Sequence, residues 1–91
     1  MKYRFQVVVS LKQGLLDPQG KAIEGSLPAM GWANASHVRV GKYVELMVDA
    51  ETEAAAASQV DEMARRLLSN PVIESYHIVG STSELRFEDA P

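Results

Sequence analysis

The side chains able to do chemistry are few and scattered through the chain. Cysteine is absent, which removes thiolate nucleophiles, disulfides and Cys-type zinc sites together. The two histidines, His37 and His77, lie far apart and read as surface or edge residues as readily as bases. Serine catalysis needs a base within hydrogen-bond reach and a turn that exposes the hydroxyl; Ser10, Ser26 and Ser36 have no such elbow around them. Glu24 and Glu45 could face one cleft, but a solvated face explains them as well, and no metal-ligand spacing is present. A phosphate cradle needs glycines ahead of a helix, whereas Gly20, Gly25 and Gly31 are spread through one. The expectation is a chain with no catalytic residue, metal or cofactor of its own.

Other residues fit recognition better than reaction. Arg39, Lys42, Tyr43 and Glu45 decorate a stretch in which Gly41 allows close approach of another backbone. Asp17, Gln19 and Lys21 open a helix with side chains that a core does not require. Polar groups on a rigid, glycine-opened backbone suit docking. Asp17, Gln19, Lys21, Arg39, Gly41, Lys42 and Tyr43 are therefore the candidate partner interface, although an ordinary wet face accounts equally well for the group around Gly41. Replacing Arg39 or Lys42 by alanine is expected to change stability by no more than about 0.5 kcal/mol, as at other surface positions.

The elements that must position these residues follow from periodicity. From Lys2 to Lys12 the chain alternates, with Tyr3, Phe5, Val7, Val9 and Leu11 on one face and only Val8 breaking the polar face. A helix starts at Asp17-Pro18, with aspartate as cap and proline in the first turn. Ile23, Leu27 and Met30 share one face of it, which should lie on the sheet, and Gly31 ends it; Pro28 should kink or tighten its last turns. The stretch His37–Asp49 reads as one bent strand, with a hairpin at Gly41-Lys42 as the alternative. A second helix spans Asp49–Asn70, capped by Asp49, with Ala56, Val60, Met63, Ala64 and Leu67 as its buried stripe and Asn70-Pro71 as its stop. Val72–Val79 is a strand apolar on both faces, with Tyr76 and Ile78 turned away from Ile73 and Val79.

These elements give an α+β class: a two-layer sandwich with an antiparallel or mixed sheet of three to four strands and two helices on one face, in the order β-α-β-α-β, or with β-β in the middle. Residues 1–79 form a single domain, and 80–91 a polar tail or short edge strand. At 91 residues and 46% apolar content, such a domain leaves apolar surface uncovered. A homodimer or tetramer is expected, with Val8, Tyr76 and Ile78 as the candidate self-association face. A net charge of −3 without a Lys/Arg cluster argues against nucleic acid as a partner. No apolar run is long enough to span a membrane and the first residues lack a signal-peptide core, so a cytoplasmic protein is expected.

Three separated blocks, Leu16-Asp-Pro-Gln-Gly-Lys-Ala22, Val38-Arg-Val-Gly-Lys-Tyr-Val-Glu-Leu46 and Leu67-Leu-Ser-Asn-Pro-Val-Ile-Glu-Ser-Tyr76, agree in order and spacing with one family. From Lys2 to Val79 the chain resembles PurS, the small subunit of phosphoribosylformylglycinamidine (FGAM) synthase in purine biosynthesis. The resemblance implies a subunit with no active site of its own. In that family a large synthetase subunit (PurL type) binds ATP and the formylglycinamide ribonucleotide, a glutaminase subunit (PurQ type) releases ammonia, and the small subunit helps bring them together. Two other readings remain at this point: a stand-alone small-ligand or regulatory module, and a small enzyme with its site between subunits.

Overall fold

The structure is a computed structural model that describes residues 1–83, the last three by their backbone alone. Strand β1 (Lys2–Leu11) is the middle of a three-stranded antiparallel sheet, flanked by β2 (Gly41–Asp49) and β3 (Glu74–Ser83). Helix α1 (Pro18–Ser26) lies between β1 and β2, and α2 (Glu53–Met63) between β2 and β3. The α+β class, the antiparallel sheet and the β-α-β-α-β order all agree with the sequence reading. The alternation of β1 has the expected consequence: Phe5, Val7 and Val9 are buried. Against them pack Val48 of β2 and Ala56, Val60 and Ala64, which lie on the helical side. Alanine at two of those helical positions lets α2 approach the sheet closely. Each fully buried apolar side chain contributes on the order of 1.5–3 kcal/mol.

Register settles the question left open at Gly41. Ser10 pairs with Gly41 and Lys2 with Asp49 in one unbroken ladder, so β2 is a single strand and Gly41-Lys42 is no hairpin turn. It begins at Gly41 rather than at His37. His37 sits at φ 59°, outside the strand region, and the Val40 N–H is given to the Asp17 carboxylate. Gly41 itself fits because a Cβ there would stand 2.3 Å from the Val9 carbonyl oxygen.

Four expectations are corrected. First, Thr52 caps α2, its hydroxyl accepting from the Ala55 N–H at 3.1 Å, because Asp49 is still paired in the sheet and meets the N-terminal amine at 3.3 Å. Second, Leu67 is 79% exposed and Leu68 takes its place against the core. The helix passes into a π turn over Ala64–Leu68, closed by both the N–H and the hydroxyl of Ser69 on the Ala64 carbonyl. One residue more per turn shifts the phase of every later side chain. Third, the apolar stripe of α1 does not lie on the sheet: Ile23 is 45% and Met30 66% exposed, and the only buried residue of the helix is Gly20.

The fourth concerns the self-association face. Tyr76 pairs with Val9 and Ile78 with Val7, which puts both on the face covered by α2, where they pack against the core. The Tyr76 hydroxyl donates to the Asp61 carboxylate at 2.7 Å, an interaction that raises its pKa. Val8 faces the other way, opposite Tyr43 and His77. The phase changes at a bulge: Gln6 pairs with Gly80 but Val7 with Ile78, leaving Val79 as the extra residue. Pro28 has the expected effect, since the α-helix ends at Ser26 and tightens into a 3₁₀ turn over Pro28–Met30 before Gly31 at φ 105°. Strand β3 runs past residue 79 to Ser83, and the rest of the expected tail, 84–91, lies outside the described residues.

Candidate docking site at the start of the first helix

Two of the three blocks singled out in the sequence meet at one point. Asp17 caps α1 through Oδ1, which accepts from the Gly20 N–H at 2.9 Å. Its other oxygen, Oδ2, accepts from the Val40 N–H at 2.8 Å and lies 3.6 Å from Nε of Arg39. Arg39 also donates from Nη2 to the backbone carbonyls of Leu11 and Lys12. Glu24, one turn further along α1, accepts from the Val38 N–H at 3.2 Å. Asp17 is only 8% exposed. The N–H donors of Val40 and Gly20, followed by the Arg39 charge, hold its carboxyl below the ordinary 3.8.

Gly20 completes the junction. A Cβ at this position would stand 2.3 Å from the Val38 carbonyl oxygen, so only glycine lets the helix pass. Beside the junction is a groove of about 340 Å³, bordered by Ser10, Pro18, Gln19 and Lys42.

The seven candidate interface residues therefore separate into two sets. Asp17, Arg39 and Gly41 are built into the fold, and the expectation that Arg39 is a dispensable surface residue is corrected by its backbone partners. Gln19, Lys21 and Lys42 are exposed and hold no side-chain hydrogen bond among the described residues. Tyr43 is on the opposite sheet face, where its hydroxyl donates to Glu45 at 2.7 Å while Arg4 reaches the same carboxylate from β1. Arg4 and then Tyr43 depress the pKa of Glu45, and that carboxylate raises the pKa of Tyr43. Sequence reading missed this trio because it depends on cross-strand register. It also missed Glu24 as a backbone ligand. A glycine at position 20 inside a helix was the legible trace of close packing.

The carboxylates of this arrangement are taken up by the backbone N–H groups of Gly20, Val38 and Val40. Among the described residues, no three His, Cys, Asp or Glu side chains are grouped to hold a metal. The His37 ring meets the Ser36 hydroxyl at 3.1 Å. Among the same residues, no helix is long and apolar enough to cross a membrane.

Comparison with known proteins gives a consistent picture. The PurS family profile, described as phosphoribosylformylglycinamidine (FGAM) synthase, matches residues 4–82. The PurS subunit of Synechocystis is 43% identical over 74 residues, spanning 81% of this chain and 74% of that protein. The Bacillus subtilis subunit is 42% identical over 74 residues, spanning 81% and 87%. In three dimensions, PurS from Thermus thermophilus superposes with a TM-score of 0.81 at 37% identity, covering 91% of this chain and 98% of that one. A chain of the Thermotoga maritima PurLQS structure matches with a TM-score of 0.80 at 31% identity, covering 86% and 95%. Profile, sequence and fold converge over nearly the whole described chain, and the chain belongs to the PurS family.

Proposed function

We propose that this chain is the small, non-catalytic subunit of an FGAM synthase, bridging a large synthetase subunit of the PurL type and a glutaminase subunit of the PurQ type. The observation that carries the reading is the match to the PurS profile over residues 4–82, reinforced by the likeness to a chain of a PurLQS structure. The chemistry of the chain agrees: its carboxylates cap helices and pair strands, and its glycines allow close packing instead of cradling phosphate. In such a complex, ammonia released from glutamine must reach the synthetase site without escaping to solvent. A small subunit supports that transfer by fixing the two larger ones against each other. Gln19, Lys21, Lys42 and Tyr43 are the side chains offered for contact with those partners. Self-association as a dimer or tetramer would use the sheet face that carries Val8. The setting of this assembly is the cytoplasm.

Reconstitution with the two larger subunits tests the reading. Glutamine-dependent FGAM formation should require this chain, ammonium salts should bypass the requirement, and the chain alone should have no ligase or glutaminase turnover. A full glutamine-dependent rate without the chain would overturn the proposal.

A further inference from the structure

Helix α1 has almost no hydrophobic hold on the rest of the molecule. Its single buried residue is a glycine, and of the side chains that would ordinarily anchor it Ile23 and Met30 are exposed and Leu27 is only half-buried. A nine-residue helix is too short to be stable in isolation. What fixes it is polar and local. The two oxygens of Asp17 join the first turn of α1 to Val40, Glu24 joins the next turn to Val38, and Arg39 ties the same stretch to the Leu11 and Lys12 carbonyls at the end of β1. Between these ties, the bonds of residues 27–32 are made within the segment itself, from Met30 and Trp32 to Leu27 and from Gly31 to Pro28.

We infer that Asp17 is a latch, which holds α1 and residues 27–40 as one arm of fixed direction, and that the larger subunits of the complex engage the arm only in that direction. Asp17 and Arg39 are then positioning residues that act through the backbone they hold. This inference rests on the proposed role of the chain as an assembly subunit. The chemistry demands a carboxylate. Each Asp17 oxygen receives a backbone N–H, and asparagine has one oxygen and an amide NH₂, so it would satisfy one N–H and present a donor to the other. Glycine at position 20 belongs to the same device, because the Val38 carbonyl closes against it.

The test uses the full chain carrying Asp17→Asn, read by amide exchange and by assembly with PurL-type and PurQ-type subunits. The amides of Gly20, Val38 and Val40 should exchange about tenfold faster while sheet amides such as Val7 and Val44 keep their protection. Assembly should weaken about tenfold in parallel. Arg39→Gln, which leaves the Asp17 cap intact, should give the same pattern to a smaller degree and decides the question if the first variant fails to fold. Equal acceleration in the sheet and the arm would make Asp17 an ordinary contributor to global stability and overturn the latch. A freed arm with undiminished assembly would overturn the partner-facing half of the inference. Failure of the unaltered chain to assemble would instead defeat the subunit reading, and with it the partner-facing half of the inference, while the exchange data would still decide the latch.

Discussion

The unit formed by the sheet and α2 and the arm formed by α1 and residues 27–40 have different sources of order. In the first, Phe5, Val7, Val9, Ala56, Val60 and Ala64 are essentially removed from water, and the hydrophobic effect does most of the work. In the second, a buried carboxylate, two backbone N–H groups and one guanidinium take the place of a core. Burial is non-directional and tolerates small shifts, whereas charge-assisted hydrogen bonds demand a particular geometry. The sheet and α2 can therefore supply stability while the arm supplies an orientation. An assembly subunit needs both.

Phe5→Ala attacks the first unit and should have the largest effect. Phe5 is 1% exposed, and its truncation should cost about 3–5 kcal/mol in denaturant unfolding, with arm and sheet lost together. Loss of the arm alone would break the comparison. Gly20→Ala attacks the second unit. The added methyl must push away the Val38 carbonyl, at a cost of about 1–3 kcal/mol, and amide exchange should show the damage confined to residues 18–40.

The same contrast decides how much was legible in the sequence. Alternation in β1 exposed the core face directly, because period two survives any detail of pairing. The cap at Asp17 and the stop at Gly31 were equally clear, since both are local. What failed depended on phase. A π turn moved the contact from Leu67 to Leu68, and the pairing of Tyr76 with Val9 and of Ile78 with Val7 sets the face they take; neither leaves a mark in composition. Asp17 and Arg39 read from the sequence as partner-contact residues, because an intramolecular partner distant in sequence cannot be seen from spacing; in the structure they are joined to each other and to Val40, Leu11 and Lys12. The phase shift is itself testable: Leu68→Ala should cost about 1–2 kcal/mol, roughly half the loss of a fully buried leucine. Leu67→Ala, at an exposed position, should stay within about 0.5 kcal/mol. Reversal of that order would restore an uninterrupted α-helix.

Acid separates the two units more gently. Asp17 and Glu45 have folded pKa values below the ordinary 3.8 and 4.5, so each binds protons less readily in the folded state than in the unfolded one. Their contribution is fully present above those ordinary values and is lost as pH falls through the depressed folded ones. At neutral pH no change is expected. Below about pH 4, by this linkage, the amides of Gly20 and Val40 should lose protection relative to Val7 in the unaltered chain. In Asp17→Asn, which has nothing to titrate at that position, the extra acid sensitivity should vanish. Persistence of the same acid limb in the variant would assign it to another carboxylate.

The smallest effect on stability is expected at Lys42, and it sharpens the division between side chains that hold the arm and those free to meet a partner. Lys42 and Arg39 are close in sequence and alike in charge, but they differ in what they touch. Arg39 gives its N–H groups to the carbonyls of Leu11 and Lys12 and forms an ion pair with Asp17, while Lys42 is exposed at the edge of the groove beside Gln19 and Pro18. Arg39→Ala should cost about 1.5–3 kcal/mol, the range of hydrogen bonds made by charged groups. Lys42→Ala should cost no more than about 0.5 kcal/mol, since no folded-state partner is left unsatisfied. Both should weaken assembly, for different reasons: the first releases the arm, and the second removes a charge that a partner meets. Amide exchange distinguishes them, because Lys42→Ala should leave the protection of Gly20 and Val40 unchanged. If Lys42→Ala assembles as tightly as the unaltered chain, contact must fall elsewhere on the arm, at Gln19 or Lys21, and Lys42 is an ordinary solvated side chain.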